Sequence, residues 1–545
     1  MRAASIDSRV MIHAIRGYVM PALVALLVLF GALALSGVWP GARWPALACA
    51  VLLAIGIHDL VQTHHSVLRS YPVLGHVRYL LEDVGPELRQ YIVESNTEGR
   101  PFDRDTRSLA YQRAKGVIDK KPFGTEIDVY AEGYGWLVHS LAPREPVDDP
   151  ARTMRIRLGG DDCAQPYSAS VFNISAMSFG SLSPTAIRAL SEGAKLGGFA
   201  HNTGEGGLSA HHREGGGDLV WQIGTGYFGC RARDGGFDPE RFRDAAAHPS
   251  VKAIELKLSQ GAKPGHGGIL PAAKISPEIA EVRGIERGHD CVSPPHHRAF
   301  DSPIGLVEFV ARLRELSGGK PVGAKLSVGD PREWLAVCRA MLETGLTPDF
   351  VTVDGGEGGT GAAPIELSDH MGMPVKDGIV VVHQSLVGAG LRDRVRVVAS
   401  GKLITGFEMA VACALGADAI NSARGFMFAL GCIQAQRCHT NRCPVGVATQ
   451  DARLARSVHV PTKAVRVRNF HRETVEAFAG VIASAGLAHP SELTPAHVYR
   501  RVNAWEIRTL AELYPSLEPG ALAHGGDAGF LREAWGRARA SSFSA

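Results

Sequence analysis

The spacing of apolar residues along the chain changes twice. From Gly17 to Ala42 there is no charged residue, and the centre reads VMPALVALLVLFGALALSGVW. That run is long enough for a helix to cross a bilayer, which takes roughly 20 residues. A shorter apolar run, Trp44–Ile57, follows with Pro45 near its start, and Leu60 and Val61 lengthen it if Asp59 lies at the interface. Trp39 and Trp44 flank the connection, as aromatic residues do at a membrane surface. Arg2, Arg9 and Arg16 precede the first run and Arg69, Arg78 and Arg89 follow the second, with Arg43 alone between them. The positive-inside rule then predicts a helical hairpin over residues 1–64 with both ends in the cytoplasm. The expected location is the cell inner membrane, with the rest of the chain facing the cytoplasm. A cleaved signal peptide is the competing reading, against which this apolar core is too long.

Residues 65–150 read as a helical connecting region. SVLRSYPVLGHVRYLLEDVGPELRQYIVE has helical apolar spacing, interrupted by Pro72 and Pro86. From about Ser168 the period alternates between two and 3.6. SASVFNISAM is followed by SPTAIRALSEGAKLGG, in which Ser183 is placed as N-cap and Pro184 at the first helical position. AIELKL, VGAKLS, FVTVDG, VRVVAS and DAINS are short β-rich runs. GLVEFVARLRELSGG, PREWLAVCRAMLETG and TGFEMAVACALGA are helical. Repeated strand–loop–helix units imply a parallel sheet with crossover helices. The fold class is therefore α/β. A (β/α)8 barrel over residues 151–455 suits the length better than a doubly wound sheet, and it places chemistry on the loops after the strands. Residues 456–545 are expected to be a mostly helical extension.

Composition narrows the function classes. Of 545 residues, 45% are apolar and 21% charged, which is ordinary for a chain with a real core. A net charge of +3 with no basic run argues against a nucleic-acid partner. The 63 glycines, many of them paired, suggest ligand-cradling loops. Nine cysteines without a regular framework point to a reducing compartment.

The densest chemistry lies in GCIQAQRCHTNRCPVGV, Gly431–Val447, where Cys432, Cys438 and Cys443 fall six and five residues apart. Thiolates this close suit an iron–sulfur cluster or zinc better than a disulfide framework. Zinc commonly takes four ligands with C-x2-C pairs, and none is present. A cluster needing three thiolates fits the count, and three buried inert cysteines are the plain alternative.

The other candidates stand where strands end. These are AMSFG (Ala176–Gly180), HNTGEGG with Glu205, LKLSQGAKPGHGG with Lys257, Gln260, Lys263 and His266, and GAKLS with Lys325. Later come TVDGGEGGTGAAP with Asp354, ASGKL with Gly401, and NSARG with Arg424 and Gly425. Glycines there let backbone N–H groups approach a phosphate, a role that late barrel loops often take. Lysines at the ends of apolar strands call for an anionic partner. No P-loop and no strand-linked G-x-G-x-x-G fingerprint occurs.

In order along the chain, SAMSFGSLSPTA, NTGEGG, QGAKPGHGG, SPPHH, GGTGAAP, HQSL and GCIQAQRCHTNRCPVGVATQD resemble the FMN-binding synthase domain of glutamate synthases, over roughly residues 150–455. The resemblance implies a (β/α)8 barrel with FMN and a 3Fe–4S cluster on Cys432, Cys438 and Cys443. It implies that 2-oxoglutarate and ammonia form 2-iminoglutarate, reduced to L-glutamate at the expense of reduced flavin. Carried over by position, Ser178, Gln260 and Lys325 would contact the flavin ring. Gly355, Gly356, Gly359, Gly401 and Gly425 would host the ribityl chain and phosphate, and Asp354 and Thr360 would also bind the cofactor. Glu205 and Lys263 would be catalytic, and Lys257, Lys263 and His297 would contact substrate.

The chain also departs from that pattern. It opens on an apolar run where relatives that take ammonia from glutamine carry an amidotransferase domain, so a separate amidotransferase subunit is a candidate partner. GHGGILPA stands where GEGGQLPG is common, so His266 replaces an acidic residue and Ile269 a polar one. With no nicotinamide domain visible, the electron donor is expected to be ferredoxin, a reductase subunit or a quinone. Two alternatives stay open: another amino-acid substrate, as in N-methylglutamate formation, or a non-catalytic electron-relay or scaffold subunit.

Overall fold

A computed structural model describes the backbone of residues 8–544 and side chains from Gly17 onward. Arg2 and the side chains of Arg9 and Arg16 lie outside the described residues. The chain divides into two compact units, Met1–Ser95 and Asn96–Ala545.

The first unit is helical: α1 (Ser8–Leu35), α2 (Arg43–Val61) and α3 (Leu74–Leu88). Gly17–Leu35 and Pro40–Val61 are each long and apolar enough to cross a membrane. The missing Cβ of Gly56 lets the thioether of Met20 close against α2, which packs the two helices side by side. Much of their apolar surface, including Val28, Leu29, Leu47 and Val51, stays exposed. Asp59 is fully buried at the end of α2. It accepts the Val73 N–H at 2.9 Å and faces His76 Nε2 at 2.9 Å, which fixes the entry to α3.

The second unit is an eight-stranded parallel barrel, closed in chain order. Its strands are β1 (Phe172–Ile174), β2 (Ala200–Asn202), β3 (Asp218–Ile223), β4 (Val251–Lys257), β5 (Val322–Leu326), β6 (Phe350–Asp354), β7 (Arg396–Ser400) and β8 (Ala419–Ser422). β8 closes on β1, with Ile420 opposite Phe172. An antiparallel hairpin, Arg155–Leu158 with Tyr167–Ser170, plugs the N-terminal end. Its Leu158, Tyr167 and Ala169 pack on the inward Ala200, Ala253, Phe350, Val398 and Ala419.

Ahead of the barrel lies α4 (Arg104–Lys115). The main crossover helices are α5 (Pro184–Gly197), α6 (Pro239–Ala246), α7 (Pro303–Leu316), α8 (Pro331–Thr344), α9 (Val375–Gly388), α10 (Gly406–Ala414) and α11 (Arg424–Leu430). Ser183 caps α5 through its Oγ, which accepts the Ala186 N–H at 3.2 Å, as the Ser-Pro signal predicts. The crossover after β2 holds only the five-residue helix Ala210–Glu214.

Two expectations need correction. The connecting region is no single element, because its first part, to Ser95, belongs to the N-terminal unit. The extension after residue 455 holds one long helix, α12 (Val460–Ser484), which packs against α5, and the short helices Leu510–Leu513 and Arg532–Arg537. Beyond it, Val498–Arg501 and Ile507–Thr509 form strands, and the first of them pairs with Gly135–Leu137. Short turns and irregular backbone make up most of the rest.

Candidate active site

The barrel interior is layered. Above the apolar floor, Glu255 on β4 accepts three hydrogen bonds: from Asn202 Nδ2 (2.8 Å), Gln222 Nε2 (2.6 Å) and Thr352 Oγ1 (2.6 Å). A buried carboxylate needs such donors in place of water. Two residues further along β4 and β6, at the C-terminal rim, Lys257 and Asp354 line an open cavity of about 800 Å3.

Two ion pairs stand on this rim. Lys257 Nζ, at the end of β4, lies 2.8 Å from Glu205 Oε1 on the loop after β2. Burial alone would push the Glu205 carboxyl up, but Lys257, and behind it Lys263 and Arg283, hold it below its usual range. Lys325, at the end of β5, lies 3.4 Å from Asp354 at the end of β6. Burial opposes the Lys325 charge, yet Asp354 and then Glu255 outweigh it, so the ammonium is held above its ordinary value. Asp354 also accepts the Gly261 N–H at 2.9 Å, and a Cβ on Gly261 would collide with the Gly355 carbonyl.

Lys263 donates to the Ala362 carbonyl at 3.1 Å. Burial pulls its ammonium down to about 8, with Glu205 resisting. Gln260 also lines the cavity, and its buried amide nitrogen has no partner among the described residues.

Most of the residues singled out in the sequence therefore meet in one place. Ser178, Glu205, Lys257, Gln260, Lys263, Lys325 and Asp354 line the cavity, as do Gly359, Thr360 and Gly401. Cys432, Cys438 and Cys443 line it too, from the loop after α11. Burial pushes the Cys432 thiol up to about 11. Among the described residues, no group of three His, Cys, Asp or Glu side chains is gathered as for a single metal ion.

Four placements differ from expectation. His297 stands behind the site: its Nε2 faces the Lys257 carbonyl at 2.8 Å and its Nδ1 the Tyr227 hydroxyl at 3.1 Å. Burial also pulls it down to about 4, so it stands as an uncharged prop for Lys257. Gly425 faces Phe470 and is needed for close packing. Gly355 and Gly356 pack against Val375 and Gly372, beneath the cavity wall.

Arg283 went unnoticed in the sequence. It lies over the Phe228 ring at 5.0 Å, donates to the Phe179 carbonyl at 3.4 Å, and lines the cavity with its Nε unpartnered. Its helix, Pro277–Arg283, ends at Gly284, and an arginine in a last turn ordinarily reads as a solvated helix end.

The cavity suits a flavin by volume, by the unpaired Gln260 amide, and by close backbone approach. A Cβ on Gly204 would meet the Ser178 nitrogen at 2.8 Å, and one on Gly359 would meet Arg424 Nη2 at 2.9 Å. The three cysteines share the wall of this cavity.

A family model described as the conserved region in glutamate synthase matches residues 160–488. The glutamate synthase large subunit-like protein YerD of Bacillus subtilis (strain 168) is 38% identical over 494 residues, covering 84% of this chain and 94% of that protein. An archaeal-type glutamate synthase (NADPH) of Thermotoga neapolitana is 34% identical over 313 residues, 57% of this chain and 58% of its own length. The glutamate synthase (NADPH) large chain of Bacillus subtilis is 34% identical over 346 residues, 21% of that longer protein.

Proposed function

The chain belongs to the glutamate synthase family, and from that membership we propose that it is an oxidoreductase that reductively aminates 2-oxoglutarate to L-glutamate. The observation that carries this reading is the cavity lining: the Glu205–Lys257 pair, with Lys263 and Arg283, shares one cavity with the three cysteines. FMN would be held by Ser178, Gln260, Lys325, Gly359, Thr360 and Gly401, and a 3Fe–4S cluster by Cys432, Cys438 and Cys443. When bound, the flavin supplies a hydride and the cluster supplies single electrons to it.

The chain's own residues would do the rest. Among the described residues, Lys263 and Arg283 are buried cations without a carboxylate in ion-pair contact, and they suit the two carboxylates of the keto acid. Glu205, kept ionised by Lys257, is placed to accept and return a proton at its Oε atoms. The barrel mouth would exclude water from an imine that water would otherwise hydrolyse. Lys325 would favour an anionic flavin ring.

A second substrate within the same chemistry deserves a direct test because Ile269, apolar, lines the cavity where relatives commonly carry a polar residue. Formation of N-methylglutamate is the specific alternative. We further propose that α1 and α2 anchor the protein in the inner membrane with the barrel in the cytoplasm, fed by ferredoxin, a reductase subunit or a quinone.

The test is turnover by the full-length protein, purified anaerobically, given a reduced donor with 2-oxoglutarate and ammonium or with glutamate and methylamine. Bound flavin, about three irons per chain and glutamate formation are expected. Flavin-replete protein inert with 2-oxoglutarate and active with methylamine moves the reading to the second substrate. Iron-free, flavin-free protein ends both readings.

A further inference from the structure

Lys274 closes a short turn, Ala272–Lys274, on the long excursion between β4 and α7, and it is 3% exposed. Its Nζ donates to three backbone carbonyls: Ser181 at 2.6 Å, Cys438 at 3.3 Å and Ala448 at 3.4 Å. These belong to the loop after β1, the cysteine loop itself, and the exit from that loop. No carboxylate lies within ion-pair distance of it among the described residues.

Among the described residues Lys274 shares that absence with Lys263 and Lys320, in contrast to three other buried cations. Lys257 has Glu205, Lys325 has Asp354, and Arg314 has Asp349. A buried ammonium held only by carbonyl dipoles is poorly compensated. Its bond to the Cys438 carbonyl puts it against the backbone of one of the three cysteines.

We infer that Lys274 is the counter-cation of the cysteine site, a positioning residue whose charge offsets the negative charge of a thiolate-held cluster and whose bond to the Cys438 carbonyl fixes the loop that holds it. This rests on the cluster proposed above. A cation beside a cluster stabilises the reduced, more negative form, so Lys274 raises the reduction potential. It also slows loss of iron.

The test uses full-length protein with Lys274→Met, Lys274→Arg and Lys274→Gln, and with Lys320→Met as control. Lys320 is likewise buried on carbonyls, of Ala246 and His248, but it precedes β5 at the opposite end of the barrel. Iron and sulfide per chain, the midpoint potential from a spin-resonance titration, and thermal unfolding before and after chelation are measured. Lys274→Met is expected to shift the midpoint to more negative potential and to lose iron to a chelator about tenfold faster or more. Lys274→Arg recovers most of both, and Lys320→Met changes neither.

Once stripped of iron, Lys274→Met should be at least as stable as stripped wild type, because the unmatched charge is gone. Lys274→Gln, which keeps a donor but no charge, carries the same expectations if the methionine variant does not fold. An unchanged midpoint and iron retention, or equal destabilisation with and without iron, overturns the inference and leaves Lys274 a structural latch. Wild type without iron overturns the cluster reading instead.

Discussion

Lys257 Nζ and Glu205 Oε1 lie 2.8 Å apart, joining the end of β4 to the loop after β2 at the floor of the cavity. Neither side chain is more than 18% exposed. Removing one partner of such a pair leaves the other charge buried and typically costs about 3 kcal/mol or more. The Glu205 carboxyl is pushed up by burial and held down, to a greater extent, by Lys257. Its folded pKa lies below the unfolded one, so its contribution is full above about pH 4.3 and fades as pH falls through the lower folded value. Lys257→Met is expected to lower the melting temperature at pH 7 and to move the onset of acid unfolding to higher pH. Adding Glu205→Gln to that variant should return part of the loss. Melting curves from pH 3 to 8 check this, and an additive double variant refutes it.

Glu205→Gln alone keeps the shape of the side chain and removes its capacity to take a proton. The expected outcome is loss of turnover by about a hundredfold or more, with flavin content unchanged. Wild-type turnover in flavin-replete variant protein would assign the proton to another group.

Lys263 differs from Lys257 in having no carboxylate in contact among the described residues. Burial pulls its ammonium down to about 8. The charge is therefore present at neutral pH and lost as pH rises through 8. KM for 2-oxoglutarate should climb above pH 8 while kcat changes less. Lys263→Gln should raise KM throughout and remove that climb. Initial rates from pH 6.5 to 9.5 decide it.

Much of this site was legible because it stands at strand ends that announce themselves. AIELKL, VGAKLS and FVTVDG are β-rich runs whose terminal Lys257, Lys325 and Asp354 all reach the cavity. Ser183-Pro184 marks a helix start by local capping chemistry, and that cap forms. What escaped notice depends on contacts distant in sequence. β3, reading DLVWQI, is amphipathic in reverse: Leu219, Trp221 and Ile223 face the helices, while Gln222 points inward to Glu255. Glu255 draws its donors from positions 33 to 97 residues away, so no local pattern marks it. His297 was misplaced for a related reason. Its neighbours Tyr227 and the Lys257 carbonyl reach it only through the fold.

Glu255 carries a stability prediction of its own. All three of its donors point at carboxylate oxygens, and an amide in its place offers one oxygen and two hydrogens. Glu255→Gln would leave at least one buried donor without an acceptor, at a cost of about 1–3 kcal/mol. Denaturant unfolding of the second unit should show that shift. Thr352→Val removes a donor and leaves one lone pair bare, so it should cost less. Equal stability of Glu255→Gln and wild type would mean that the network rearranges without loss.

The first unit makes its prediction through exposed surface. Val28, Leu29, Leu47 and Val51 leave water-facing apolar area on two helices that already pack on each other through Met20 and Gly56. In a bilayer that area faces hydrocarbon, and Asp59, tied to Val73 and His76, closes the hairpin where the chain leaves it. The full chain should therefore sediment with membranes, resist an alkaline carbonate wash and dissolve in detergent. A chain beginning at Asn96, which retains the whole barrel as a compact unit, should stay in the supernatant and melt cooperatively. Full-length protein released by carbonate would make the hairpin a peripheral or protein-binding element. A sedimenting 96–545 chain that still melts cooperatively would place membrane contacts on the barrel unit as well.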